Sequence, residues 1–448
     1  MTWAPTLTLR VELETEAGTA VGYAADLLVP KWFEKDPGKS LREDVEGLME
    51  SARQAGRVAM GGAGQESVFD LWWRVYRERV QSQPAQASDR LVRGFGVALV
   101  ERAVMDAACR AAEQSFFDAL RSDLFGFRPG IVHRELGDWT LVQSLDHRPL
   151  DEVELRHTIG MLDPLRRDDI AEDARRDDGL PESLEDNIET YGLRWFKLKL
   201  CGDAEADRER CLAVSEILAE RVGDAARLTV DGNEQFTDLL ALRCFLEDLD
   251  RETLGRPLLR ALQYIEQPLP RALSFAPGTA PALAALSEIA PVILDEADHG
   301  VDAFSLGLEM GYGGISIKNC KGVFRSLINR GLCERHDAFQ SAEDLTNLGM
   351  LALQQDLATV AALGLTHVER NGHHYFHGLD HLPASEAAAA LQAHPDLWTQ
   401  KGASTTLRIE QGRLQIGSLQ RPGFGYDCEI AFDERVRLDD WRFPEELA

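Results

Sequence analysis

No stretch of this 448-residue chain approaches the roughly 20 consecutive apolar residues that a membrane-spanning helix requires, and its N-terminus lacks a basic segment followed by an apolar one. A soluble cytoplasmic protein with no membrane partner is therefore expected. Basic residues are scarce: 48 Lys and Arg stand against 75 Asp and Glu, a formal charge of −27. Such a surface repels polyphosphate and supplies no basic stripe, so nucleic acid is not an expected partner. The seven cysteines (Cys109, Cys201, Cys211, Cys244, Cys320, Cys333 and Cys428) form no CxxC pair and sit mostly within apolar segments. Buried thiols fit that placement better than a disulfide framework or a zinc site. HExxH spacing is absent too, so the grouped His373, His374 and His377 read first as a hydrogen-bonding loop rather than a metal site.

A phosphate cradle is also missing. Residues 293–300 read ILDEADHG, which resembles the Mg²⁺-holding acidic motif of an ATP-driven helicase. Such a motor also needs a Gly-rich loop ending in Gly-Lys-Ser/Thr. The candidate, Asp36-Pro37-Gly38-Lys39-Ser40, has Phe33 where the earlier glycine belongs and Trp32 beside it. The acidic run needs another explanation.

What is present is patterned. At 44% hydrophobic, a chain of this length can bury a large core, as two or three domains or as a barrel with an attached domain. The segment TLTLRVELETEAGTAVGYAADLLVP predicts a β-hairpin turning at Glu16-Ala17-Gly18. Helical spacing follows near 41–54, 66–82 and 92–121, making residues 1–150 an α+β unit. From about 153 to 370 short apolar strands alternate with helical stretches: VELRHTIG, RWFKLKL, RLTVDG, LQYIEQP, PVILDE, GISIKN, AFQSA and LTHVE. About eight such units close a TIM barrel, here assigned to residues 151–385. The remainder, 386–448, reads as strands and turns without helix pairing and is expected to return to the first domain. The polar stretch 163–187 reads as a solvated surface loop.

Charged residues stand where the strands should leave the barrel, the end at which TIM-barrel active sites are built. Lys199, Asp231, Glu266, Asp295 and Lys318 are spaced by 32, 35, 29 and 23 residues, about one strand-helix unit each. A single acid after a strand is usually a helix cap. Three in register, Asp231, Glu266 and Asp295, describe hard oxygen ligands for Mg²⁺, with Mn²⁺ as a substitute. In RWFKLKL, Lys197 and Lys199 share one face of the strand, and Lys318 ends another. Lysines gathered beside a cation are expected to have their pKa lowered toward the range useful to a base.

These motifs resemble the enolase superfamily, in its mandelate racemase/muconate lactonizing enzyme-like group, and more narrowly the muconate lactonizing enzyme and dipeptide epimerase branch. LKL with its lysines is similar to that branch's KxK motif; VDGNEQF, IEQP and ILDEA are similar to its three metal-ligand strands. ISIKNCKG resembles its strand-6 lysine motif, and VERAVMDAA the helix closing its capping domain. The resemblance spans nearly the whole chain. It implies a (β/α)7β modified TIM barrel with an N-terminal α+β capping domain completed by the C-terminal segment. It further implies Asp231, Glu266 and Asp295 as Mg²⁺ ligands, Lys199 and Lys318 as acid/base groups on opposite faces of a small carboxylate substrate, and Lys197 as the auxiliary lysine. The chain starts close to where the second capping strand should lie, so a true start upstream of Met1 is expected.

The implied chemistry is removal of a proton α to a carboxylate through a metal-stabilised enediolate, giving racemisation, epimerisation or cycloisomerisation. β-Elimination in the same site is the alternative, and a barrel that binds metal and ligand without turnover is a further one. A homo-oligomer is expected. Two departures bear on substrate. Val368-Glu369-Arg370-Asn371 stands where dipeptide epimerases carry an acidic DxD pair, which disfavours a dipeptide. Gln340-Ser341-Ala342-Glu343-Asp344 lacks the histidine of the racemase and sugar-acid dehydratase subgroups. Substrate contacts are expected from Trp32 and Phe33 in the capping domain and from Arg370, His373 and His374 beyond the last strand, with domain packing the alternative for the two aromatics.

Overall fold

The computed structural model describes residues 5–445 apart from 16–17, 63, 83–86, 177 and 345. Strands β1 (Thr6–Thr15) and β2 (Gly18–Leu27) pair antiparallel from Thr6↔Leu27 to Thr15↔Gly18. The expected turn lies partly outside the described residues, as does the question of an upstream start. Alternation in LTLRVEL lets the hairpin lay one face on the helix Ala87–Ala111. Gly22 permits that approach, since a Cβ there would stand 2.2 Å from the Ala103 carbonyl oxygen.

The first helix, Leu41–Met60, starts at a capping box in which Ser40 accepts from the Glu43 amide and the Glu43 side chain accepts from Ser40 N–H. The Lys-Ser pair that resembled a phosphate loop is thus a helix start. Residues 66–82 form Val68–Tyr76 and a π-helical turn, Arg77–Gln81. The single helix expected over 92–121 is two, Ala87–Ala111 and Phe116–Arg121. Glu113 takes a positive φ of 52° and Ser115 caps the second helix, so a local backbone reversal overrides a continuous apolar repeat.

Eight parallel strands follow: β3 (Glu152–Ile159), β4 (Trp195–Lys199), β5 (Arg227–Asp231), β6 (Leu262–Glu266), β7 (Val292–Leu294), β8 (Gly314–Ile317), β9 (Phe339–Ala342) and β10 (His367–Arg370). Each pairs with the next, and β10 pairs with β3 to close the barrel. Helices run between successive strands, from Leu184–Tyr191 after β3 to Met350–Ala362 after β9, which makes seven strand-helix units and a final strand. Leu198, Leu228, Ile265 and Ile315 are among the strand residues that build the shell between strands and helices, while the barrel interior is charged. Residues 163–187 carry two exposed 3₁₀ turns, fastened by Arg166 to Glu216 at 2.8 Å.

The C-terminal segment differs from the expected strands and turns by opening on a helix, Ala384–Ala393, favoured by its alanine run. It continues through the hairpin β11 (Trp398–Lys401) and β12 (Ser404–Leu407), then β13 (Arg413–Gln415), which adds antiparallel to β3. It then reaches the N-terminal unit: Phe424 stacks on Phe116 at 4.1 Å, and Phe424 N–H donates to Asp106 at 2.7 Å. All seven cysteines are free. Among the described residues no helix is long and apolar enough to cross a membrane.

Candidate active site

Strand register assembles the site. Lys199 lies beside Asp231 and Asp231 beside Glu266, so three neighbouring strands present one row at the barrel's C-terminal edge. Asp295 follows β7 and Lys318 follows β8, completing the row. Lys197, one inward step below Lys199, has its ammonium 2.7 Å from Glu266, 3.0 Å from Asp231, 3.1 Å from Glu343 and 3.0 Å from Glu369. Lys199 reaches Asp231 at 2.5 Å. On the other side Lys318 contacts Asp295 at 2.6 Å and Glu343 at 2.8 Å.

Glu343 joins the two sides. Its second oxygen accepts from Arg156 of β3 at 2.6 Å, and Arg156 also donates to Ser341 at 3.1 Å. Asp295 accepts from Ser316 at 2.9 Å and lies 3.3 Å from the Lys321 ammonium, while Gln267 accepts from its amide at 2.9 Å. The ILDEADHG run thus divides its acids. Asp295 enters the site, Glu296 pairs with Lys35 of the capping loop at 3.3 Å, and Asp298 holds Lys321 and Arg325.

Carboxylates dominate the surroundings of the lysines. Burial pushes the Lys318 ammonium toward neutrality, but Asp295 and Glu343 outweigh it and hold its pKa well above the ordinary lysine range. Lys197 and Lys199 are likewise raised, burial being overcome by Asp231 foremost. Lys197 does lower the pKa of Lys199 and of Lys318, but the carboxylates nearer to each outweigh it. Asp231 is held well below the usual carboxylate range: burial opposes this, and Lys197 and Lys199 prevail. Glu266 goes the other way, raised well above by burial and by Asp231 and Glu343.

The donor set suits a hard divalent cation. Glu266 Oε2 is buried without a hydrogen-bond partner, and oxygens of Glu266, Asp295 and Glu343 lie within 4.8 Å of one another. Asp231 is not in that closest group; its carboxylate is turned to the two lysines of β4. Three carboxylates were expected to converge, and the geometry adds Glu343 as a fourth.

The capping loop covers this cluster. Trp32 sets its ring 5.2 Å from the Lys318 ammonium, within reach of a cation–π contact. Arg271, in the loop after β6, donates to the carbonyls of Phe33 at 2.9 Å and Trp32 at 3.0 Å while paired with Glu234 at 2.8 Å. Lys35 also pairs with Glu234, at 2.6 Å. Asn233, Glu234 and Gln267 all take positive φ, so the backbone carrying these fastenings departs from regular geometry beside the site. Phe33 is buried against Phe95 in the capping core and does not face the cluster. Phe33 packs in the capping core, whereas Trp32 both packs against that core and stands over Lys318.

Three expected substrate contacts lie elsewhere. Along β10, Glu369 points inward to Lys197, so alternation turns Arg370 outward, where it pairs with Asp344 and lies 3.8 Å from Asp356. His373 and His374, in the turn beyond, pack against His157 on that outer side, the first edge-on and the second tilted. Arg370 and His373 line a cavity of about 300 Å³ between β10 and the β11–β12 hairpin, outside the barrel. Sequence reasoning missed Glu343, Glu369, Arg156 and Lys321. The signal for Glu343 was available, since it directly follows a barrel strand, as Asp295 does.

Residues 179–431 match the sequence model of the enolase C-terminal domain-like family. Among curated proteins none matches the chain. Among solved structures the fold is similar to a muconate cycloisomerase from Pseudomonas fluorescens, at 15% identity over 95% of this chain and 93% of that one, with a TM-score of 0.58. A dipeptide epimerase from Enterococcus faecalis V583 is 15% identical over 94% of this chain and 97% of that one, TM-score 0.58. Another dipeptide epimerase, from Methylococcus capsulatus and complexed with a Mg ion, is 20% identical over 94% and 97%, TM-score 0.55.

Proposed function

Because the chain belongs to the enolase C-terminal domain-like family, we propose that it is a divalent-metal-dependent enzyme that removes a proton α to the carboxylate of a small acid and returns one, as an isomerase. The observation that carries this reading is the placement of Lys199 and Lys318 on opposite sides of one carboxylate cluster, each reaching a different acid of it. The relatives include a muconate cycloisomerase and dipeptide epimerases, which supports racemisation, epimerisation or cycloisomerisation. β-Elimination uses the same first step and is the second reading.

On this reading Glu266 and Asp295, with Asp231 or Glu343, would hold Mg²⁺. Bound there, the ion would supply the positive charge that stabilises a substrate carboxylate as its α-proton leaves, and would compete with the lysines for their carboxylates. Lys199 Nζ and Lys318 Nζ then carry the proton work, one on each face. Lys197, buried among four carboxylates, stays charged and fixes their positions. Trp32 excludes water above Lys318. Residues 151–385 supply this machinery, and 1–150 with 386–448 form the cap that shapes the substrate's distal end.

Incubating candidate acids with enzyme in D₂O and following mass tests the reading: one or more should gain a single deuterium. No exchange across a broad panel of carboxylic acids would sink it. Stripping metal with a chelator should abolish exchange, and Mg²⁺ or Mn²⁺ should restore it, because the donors are oxygens with no soft ligand. Full activity in a metal-free sample would remove the metal from the proposal. Trp32→Ala should raise KM roughly tenfold or more by opening the roof, with Mg²⁺ affinity and melting temperature little changed. A lowered melting temperature with unchanged kinetics would instead make Trp32 a packing residue.

A further inference from the structure

We infer that His157, His373 and His374 form a second metal site, for a borderline divalent ion of the Zn²⁺ class, at the seam where the barrel closes. The seam is the β3–β10 pairing, in which His157 stands opposite Arg370. Arg156 and Thr158 face the barrel interior, toward Glu343 and Glu369, so alternation turns His157 outward. The turn Gly372–His374 then brings two more imidazoles over it.

Four observations carry the assignment. Each of the three rings offers a nitrogen within 4.8 Å of the other two. His157 Nδ1 and His373 Nε2 are 3.1 Å apart. Two ligands of a tetrahedral ion with metal–nitrogen bonds of about 2.0–2.1 Å stand roughly 3.3 Å apart, so the ion would take the place of the proton those nitrogens now share. His157 and His373 are only 3% and 8% exposed. His373 Nδ1 and both ring nitrogens of His374 are buried without a hydrogen-bond partner. Unpaired buried polar atoms are costly, and a metal is one ligand that uses neutral imidazoles as they are.

The surroundings agree. Burial lowers the pKa of all three, that of His374 to about 4, and the neighbouring rings add to it at His157 and His373, so each is in its ligating form at neutral pH. Asp163, fixed by the Gly160 amide at 2.7 Å and the Tyr375 hydroxyl at 2.9 Å, adds negative potential at His374. Donor type separates this site from the barrel cluster, because imidazole suits Zn²⁺ and carboxylate suits Mg²⁺. A metal here would staple β3 to the end of β10, four residues beyond Glu369 in the case of His373, and so steady the strand end that reaches Lys197.

The full-length chain, stripped with chelator, is titrated with Zn²⁺ or Co²⁺ in excess Mg²⁺. Expected are about one tightly held Zn²⁺ per chain and a visible Co²⁺ band of tetrahedral intensity. His374→Gln and His157→Asn should each weaken Zn²⁺ binding by more than the roughly 10–100-fold that outer-shell changes cost, while Asp295→Asn should leave it intact. Should His157→Asn fail to fold, His374→Gln, at a half-buried position, decides alone. No retained Zn²⁺, equal retention in the histidine variants, or loss in Asp295→Asn instead would each overturn the site. None of these outcomes bears on proton exchange in the barrel, so the proposed function stands or falls separately.

Discussion

Lys199→Ala is expected to abolish exchange of the α-proton from one enantiomer of a substrate while leaving exchange from the other measurable, and Lys318→Ala should show the opposite preference. A general acid or base contributes roughly 10²–10⁴-fold, so the affected enantiomer should lose activity by that factor. The reason is positional. The two ammonium groups come from β4 and the end of β8 and reach different acids of one row: Lys199 lies 2.5 Å from Asp231, and Lys318 lies 2.6 Å from Asp295 and 4.0 Å from Glu266, the acid between those two. A substrate seated over that cluster has one lysine on each side. Neither substitution removes a carboxylate, so Mg²⁺ affinity should not fall, and that measurement separates lost proton transfer from lost metal. Equal loss for both enantiomers would replace the two-base mechanism with a one-base one.

How much of this was legible in the sequence depended on which physical rule governed each residue. Strand ends were readable because a parallel barrel strand is short, apolar and terminated by polar residues, and all eight expected strands are present. LKLKL-type alternation put Lys197 and Lys199 on one face, where both are found. Alternation applied to LTHVER would also have sent Glu369 in and Arg370 out, had the register of β10 been known. It was not, because a four-residue strand flanked by polar residues fits either register. The long apolar repeat over 92–121 concealed a break, since periodicity reports a face and not a backbone reversal at Glu113. The raised lysine pKa was not legible for a different reason. Sequence names the charges present but not their separations, and Coulomb energy is decided by separations.

Glu343→Leu should be the most disruptive single change in the barrel. The Glu343 carboxylate accepts from Arg156 at 2.6 Å, Lys318 at 2.8 Å and Lys197 at 3.1 Å, and all four side chains are under 5% exposed. Lys318 retains Asp295 and Lys197 retains Asp231, Glu266 and Glu369, so neither is left alone. Among the described residues Arg156 pairs directly with no second carboxylate, and Glu369 and Glu266 act on it only at longer range. Its other partners are neutral: the hydroxyls of Tyr264 and Ser341, the Ala342 carbonyl, and His367, whose pKa is lowered to about 3 by burial and by Arg156 itself. Removing one member of a buried pair leaves an uncompensated charge and costs about 3–5 kcal/mol. Chemical denaturation should register that loss. The double variant Glu343→Leu with Arg156→Met should recover a large part of it, because both buried charges leave together. Proton exchange should stay low in the double variant even where stability returns, since the carboxylate linking Lys197 to Lys318 is still gone. Recovery of both stability and exchange would show that Glu343 only neutralises Arg156 and has no part in holding the lysines.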